Sequence, residues 1–95
     1  MSEYIRQPGK KTPGRRVECD AQGWHKLEPG DYAKQPDGTY MSRVPEPCFH
    51  AGSLAGHDIT EHEDGTITAS PSIGHTEPNV GYWHGYLEHG VWRED

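Results

Sequence analysis

Branched aliphatic side chains and phenylalanine are scarce in this chain: Ile, Leu, Val and Phe together supply twelve of its 95 residues. With a formal net charge of −6, that composition lies close to the range in which chains fail to fold. No apolar run approaches the roughly 18 residues of a membrane-crossing helix, which excludes a helical span. The opening residues lack the basic-then-apolar pattern of a secretory leader, so an intracellular or assembly-bound protein is expected. Two cysteines, Cys19 and Cys48, are too few for a disulfide framework, and reduced thiols are expected. Gly-x-Ser-x-Gly, His-Glu-x-x-His and a phosphate-binding Gly loop are all missing. Serines 70 and 72 and histidines 62, 75 and 84 occur within one stretch, but Ser and His together are too common to specify a nucleophile. The sequence therefore predicts a protein that is not an enzyme.

Aromatic residues supply what the aliphatics do not. Three Trp, five Tyr and one Phe each bury more area than an aliphatic side chain, enough for a thin core in a single domain. Charge is uneven. Arg6, Lys10, Lys11, Arg15 and Arg16 against Glu3 give residues 1–16 a net +4, while the remainder carries −10. Residues 1–14 contain Pro8, Gly9, Pro13 and Gly14 with almost nothing apolar, and read as an extended basic arm. Nucleic acid is expected as a partner only through that arm, because the acidic body repels phosphate.

From Val17 onward no window sustains apolar residues at i, i+3, i+4 and i+7, and Gly or Pro interrupts nearly every candidate helix. The expected fold is all-β: a small single-domain sandwich or roll of short hairpins over 15–95, with the arm over 1–14. Three hairpins follow from turn chemistry. The first joins Tyr32-Ala33-Lys34 to Thr39-Tyr40-Met41 through Gln35-Pro36-Asp37-Gly38. The second spans 58–70 around Glu63-Asp64-Gly65, pairing Ile59 with Ala69 and Thr60 with Thr68. In that register Ile59, Ile67 and Ala69 share one face, and only Glu61 falls on the wrong side. The third runs from Tyr82 to Leu87, turns at Glu88-His89-Gly90 and returns through Val91-Trp92-Arg93. A loop of two residues would face Trp92 to Leu87, a loop of three to Tyr86. The string Asp-Gly-Thr recurs in the first two hairpins, at 37–39 and 64–66.

Seven histidines raise the question of metal. In a strand, Cys48 and His50 point the same way and can reach one ion. A structural zinc site takes four ligands in close pairs, and only this half-set is recognisable. No bound zinc is expected; Cys48, His50 and His84 are the residues such an ion would take. The aromatics at the end of the chain are denser than anything else in it. By strand alternation Trp83 and Leu87 face one way while Tyr82, His84 and Tyr86 face the other, so one set can form the core and the other a ring-bearing surface of the composition found at binding hot spots.

Two strings in this region, Asp64-Gly65-Thr66-Ile67-Thr68-Ala69-Ser70-Pro71-Ser72-Ile73 and Trp83-His84-Gly85-Tyr86-Leu87-Glu88-His89-Gly90-Val91-Trp92, resemble small bacteriophage proteins. Their form is TxSPSI followed by (C/W)H(G/S)xLxxGxW, in or near DUF6527, a domain family of unknown function. Many members carry an upstream Cys pair and a Cys-His in the second string, which resembles a zinc site. Here Trp83 stands in place of that Cys. The resemblance implies a phage-encoded interaction module, such as a capsid or tail accessory or decoration protein, partnered with a larger phage or host assembly or with copies of itself. The alternative is a small metal- or ligand-binding accessory protein, for example a counter-defence factor, using the His-rich loops. The expected binding surface comprises Pro71, Ser72, Ile73, Trp83, His84, Tyr86 and Trp92, with the 71–73 loop beside the 83–86 strand. Gly85 is expected to leave a gap there for another backbone or a ligand.

Overall fold

The computed structural model describes residues 5–18, 27–45, 51–77 and 81–95. Among them every regular element is a strand: β1 (Lys11–Pro13), β2 (Arg15–Glu18), β3 (Asp31–Lys34), β4 (Tyr40–Ser42), β5 (Gly52–Ser53), β6 (Asp58–Glu61), β7 (Ile67–Glu77), β8 (Gly81–Glu88) and β9 (Val91–Glu94). They form a five-stranded sheet in the order β1-β9-β8-β7-β6 and a four-stranded sheet in the order β2-β3-β4-β5. The domain is all-β, as expected.

The three hairpins form because their turns are chemically closed. In the β6–β7 loop, Gly65 takes φ 88° and donates its N–H to His62 O at 3.0 Å. Ile59 then pairs with Ala69 and Thr60 with Thr68. The recurrence of Asp-Gly-Thr has one cause. Asp64 Oδ1 accepts the Thr66 N–H at 3.0 Å and its hydroxyl at 2.6 Å, and Asp37 Oδ1 does the same for Thr39 at 2.9 and 2.6 Å. These bonds hold both carboxyls below their ordinary range. At the β8–β9 turn, Glu88 pairs with Val91, leaving His89 (φ 51°) and Gly90 (φ 78°) as a two-residue loop. Positive φ at both central positions suits the right-handed twist of the flanking strands. The loop length left open by the sequence is thereby decided, and Trp92 lies opposite Leu87.

One core lies between the sheets. Tyr32, Tyr40, Val44 and Leu54 meet Ile67, Ala69, Ile73, Trp83, Leu87 and Trp92. Trp83 and Trp92 are 1% and 0% exposed and pack edge to face at 5.5 Å. Trp92 Nε1 donates to Gly30 O at 2.8 Å, so the indole carries no unsatisfied donor into the interior. Glu61, the residue on the wrong face, joins the sheets at their edge. Its Oε2 accepts from the Tyr40 hydroxyl at 2.6 Å and lies 3.1 Å from Lys34 Nζ.

The basic segment needs correction. Its described part does not extend away from the body but forms the edge of the five-stranded sheet. Lys11 pairs with Arg93 and Pro13 with Val91; Gly9 N–H donates to Glu94 O at 2.7 Å and Glu94 N–H to Lys10 O at 2.9 Å. The Glu94 side chain, 2% exposed, accepts the Gln7 N–H at 2.8 Å. An edge strand can be built from Lys, Thr and Pro because it buries little, and such residues discourage further pairing. At Gly14 the chain passes to the other sheet. A Cβ there would lie 2.7 Å from Gly90 O and 3.0 Å from Trp92 Nε1. Beyond it, β2 pairs with β3 in parallel, a pairing that hairpin reasoning does not reach.

Candidate functional site

β8 uses its two faces differently. Trp83, Gly85 and Leu87 point into the core, and Tyr82, His84 and Tyr86 form a row on the solvent side. Tyr82 and His84 lie nearly parallel, 6.1 Å apart, and His84 meets Tyr86 at 65° and the same distance. Tyr82, 42% exposed, lies across Gly74, whose hypothetical Cβ would come within 2.6 Å of its hydroxyl. Arg93 on β9 places its guanidinium 4.5 Å from the centre of the Tyr86 ring and 3.2 Å from Glu88 Oε1. Cation–π stacking of this kind holds a long side chain flat and keeps its charge at the surface.

His84 is fixed from both sides. Between Ala69 and Ile73 the β7–β8 register shifts, and the irregular segment contains the cis Ser70–Pro71 bond. That irregularity brings Ser72 Oγ to 2.8 Å from His84 Nε2. On the other side Asp95 Oδ2 lies 3.3 Å from His84 Nδ1, and Asp95 N–H donates to His84 O at 2.9 Å. A carboxylate only accepts, so the neutral imidazole carries its proton on Nδ1 and takes the Ser72 hydroxyl proton at Nε2. This is the contact order of a Ser-His-carboxylate relay. An acyl-transfer site also requires a cleft and oxyanion donors. Ser72 and His84 are in the wall of neither the shallow depression beside β9 nor the smaller cavity between the sheets. The effect assigned to the relay is to lock the ring between the two tyrosines.

The expected surface divides in two. Pro71, Ser72, His84 and Tyr86 lie on or near the outer face, and the 71–73 segment does run beside 83–86, with Ile73 opposite Gly85. Ile73, Trp83 and Trp92 are core residues, 5%, 1% and 0% exposed, and do not reach the surface. Nor does Gly85 leave an open gap. Its missing Cβ is occupied by Arg93 O, by the Trp83 ring at 2.7 Å and by Glu94 Cα at 3.0 Å. Arg93 and Asp95 were not foreseen as site residues; their positions depend on the β8–β9 loop length.

For metal, Cys48 and His50 lie outside the described residues. Among those described, no group of three or more His, Cys, Asp or Glu is arranged to hold an ion. His62 and His89 do stack at the hairpin tips, 3.9 Å apart and within 2° of parallel. His62 Nε2 lies 2.7 Å from Thr68 Oγ1, and His89 Nε2 lies 3.6 Å from Asp64 Oδ2.

A shallow depression of about 320 Å³ adjoins the ring row and is lined by Lys11, Glu88, Val91 and Arg93. A smaller cavity of about 90 Å³ lies where β4 and β5 approach β7. Comparison of the chain with family models, curated proteins and solved structures gives no match.

Proposed function

We propose that this protein is a non-enzymatic interaction module that uses the outer face of its five-stranded sheet, centred on Tyr82, His84 and Tyr86, to bind a protein in a larger phage assembly. The observation that carries this reading is that the ring row stays outside the core in a chain with so little apolar material. Three rings of β8 stay outside the core in one row, and Arg93 stacks at its end. Tyrosine and arginine on a rigid strand present large contact area at low entropic cost, which is the composition of interface hot spots. The neighbouring depression extends this face toward β1. The resemblance of the two C-terminal strings to phage proteins supports a capsid or tail accessory role, in the virion or in the infected cell.

The test replaces Tyr86 with Ala and measures co-sedimentation with particles of the encoding phage alongside thermal unfolding. Loss of co-sedimentation with a stability change below about 1 kcal/mol supports the assignment, because side chains outside the core seldom contribute more. Unchanged co-sedimentation by a folded variant removes it. Self-association that depends on Tyr86 would identify the partner as another copy of the chain.

The second reading, a metal- or ligand-binding accessory protein, is favoured by a separate observation, the histidine-lined cavity between the sheets.

A further inference from the structure

The smaller cavity is walled by Ser42, Val44, Gly52, Leu54, His57 and His75, among others. His57 is placed there by a turn. Its N–H donates to Leu54 O at 3.0 Å, with Gly56 at φ 92° in the left-handed position. β6 begins at Asp58, opposite Ser70. Just before it the His57 ring reaches the next stretch of β7, with Nε2 3.2 Å from Ser72 O. A carbonyl only accepts, so Nε2 carries the proton and Nδ1 is left with a bare lone pair. That Nδ1 is buried and has no hydrogen-bond partner. A buried acceptor without a donor costs roughly 1–3 kcal/mol and calls for an occupant.

His75 reaches the same space from the core-facing side of β7, where it lies opposite Trp83. A Cβ on Gly52, another wall residue, would sit 3.7 Å from His75 Nδ1. Among the described residues, the walls include no carboxylate and no Lys or Arg. Of the two imidazoles in these walls, His57 is tied by its second nitrogen to a backbone carbonyl, as metal-binding histidines commonly are. The carbonyl bond fixes the tautomer and makes the free nitrogen a better donor.

We propose that this cavity binds a divalent first-row transition-metal ion of zinc type, with His57 Nδ1 and His75 as protein ligands and solvent at open positions. Imidazole nitrogen suits zinc, cobalt, nickel and copper, and does not suit calcium or magnesium. The site ties the turn that precedes β6 to β7, so its occupancy stabilises that corner of the domain. It is separate from the ring row and does not depend on the binding function assigned there. It also differs from the set expected from sequence, which centred on Cys48, His50 and His84.

Chelator-treated protein is titrated with Co²⁺ and Zn²⁺, reading the visible cobalt spectrum, metal per chain and the thermal midpoint. The expected result is one ion per chain, a raised midpoint by mass action, and affinity lowered by roughly 100-fold or more in His57→Gln and in His75→Gln. His84→Ala should bind as the parent does. The parent protein alone can overturn the proposal, by showing neither a cobalt spectrum nor a midpoint shift, as it would if only water fills the cavity. Binding that survives His57→Gln, or that is lost in His84→Ala alone, overturns it equally.

Discussion

The two faces of β8 are made from the same eight residues and have opposite fates. On the inner face Trp83 and Leu87 are sealed against Trp92 and Ile67, all four at 0–1% exposure. On the outer face Tyr82, His84 and Tyr86 keep solvent contact and are organised by polar neighbours: Ser72, Asp95 and Arg93. The difference shows how a chain poor in aliphatics divides its aromatics. The indoles make a core that leucines would otherwise make. The phenols and imidazole, which tolerate water at one end, are left for contact. If this division is right, substitutions on the two faces of one strand separate stability from binding.

The largest effect belongs to the inner face. Trp92→Ala removes the core indole and its bond to the Gly30 carbonyl, which keeps only the longer bond from the Arg15 N–H. A loss of about 3–5 kcal/mol should leave the domain largely unfolded at 25 °C by near-ultraviolet circular dichroism. A folded Trp92→Ala protein would break the comparison at its stronger end.

A smaller but clear loss is expected at the passage between sheets. Gly14→Ala puts a methyl group against Gly90 O and the Trp92 ring, and overpacking of this kind costs about 1–3 kcal/mol. Denaturant unfolding should show a lower midpoint with unchanged slope. The same measurement tests the view that the basic segment belongs to the fold, because a detached arm would tolerate the methyl.

The Tyr40–Glu61 contact gives a pH signature at both ends. The Tyr40 hydroxyl, and secondarily Lys34, hold the Glu61 carboxyl below its ordinary range. The folded state therefore binds the proton less readily than the unfolded one. The resulting stability is present above the unfolded carboxyl pKa and is lost as pH falls through the folded value. Burial, followed by the bond to Glu61, pushes Tyr40 up to about 12 from 10.0. Its contribution is complete below 10 and is lost as pH rises toward 12. Unfolding followed against pH should show both limbs, and Tyr40→Phe should flatten the alkaline one and weaken the acid one. Identical profiles for parent and variant would remove Glu61 as a link between the sheets.

The turns were legible because their chemistry is local. Asp37 and Asp64 each close a loop on a threonine two residues on, and Gly65 sits where left-handed φ is needed, so the hairpin registers followed. Sheet order was not legible. The β1–β9 edge joins segments about eighty residues apart through residues with little apolar signal, and the parallel β2–β3 pair has no turn to announce it. For the site, alternation along β8 placed Tyr82, His84 and Tyr86 correctly. Reading 71–73 as a loop misplaces Ile73, because β7 continues through it and the alternation from Ile67 and Ala69 puts Ile73 on the core face. Arg93 and Asp95 depended on the two-residue turn at His89-Gly90, where local preference leaves two choices.

The smallest stability effect carries the central claim. Tyr82→Ala/Tyr86→Ala removes both phenols of the outer face and leaves the inner face untouched. Its thermal midpoint and its co-sedimentation with phage particles should be measured side by side with the parent. The account predicts a midpoint displaced by only a few degrees, equivalent to about 1 kcal/mol or less, and co-sedimentation abolished. A variant that unfolds, or one that stays folded and co-sediments as the parent does, would contradict it.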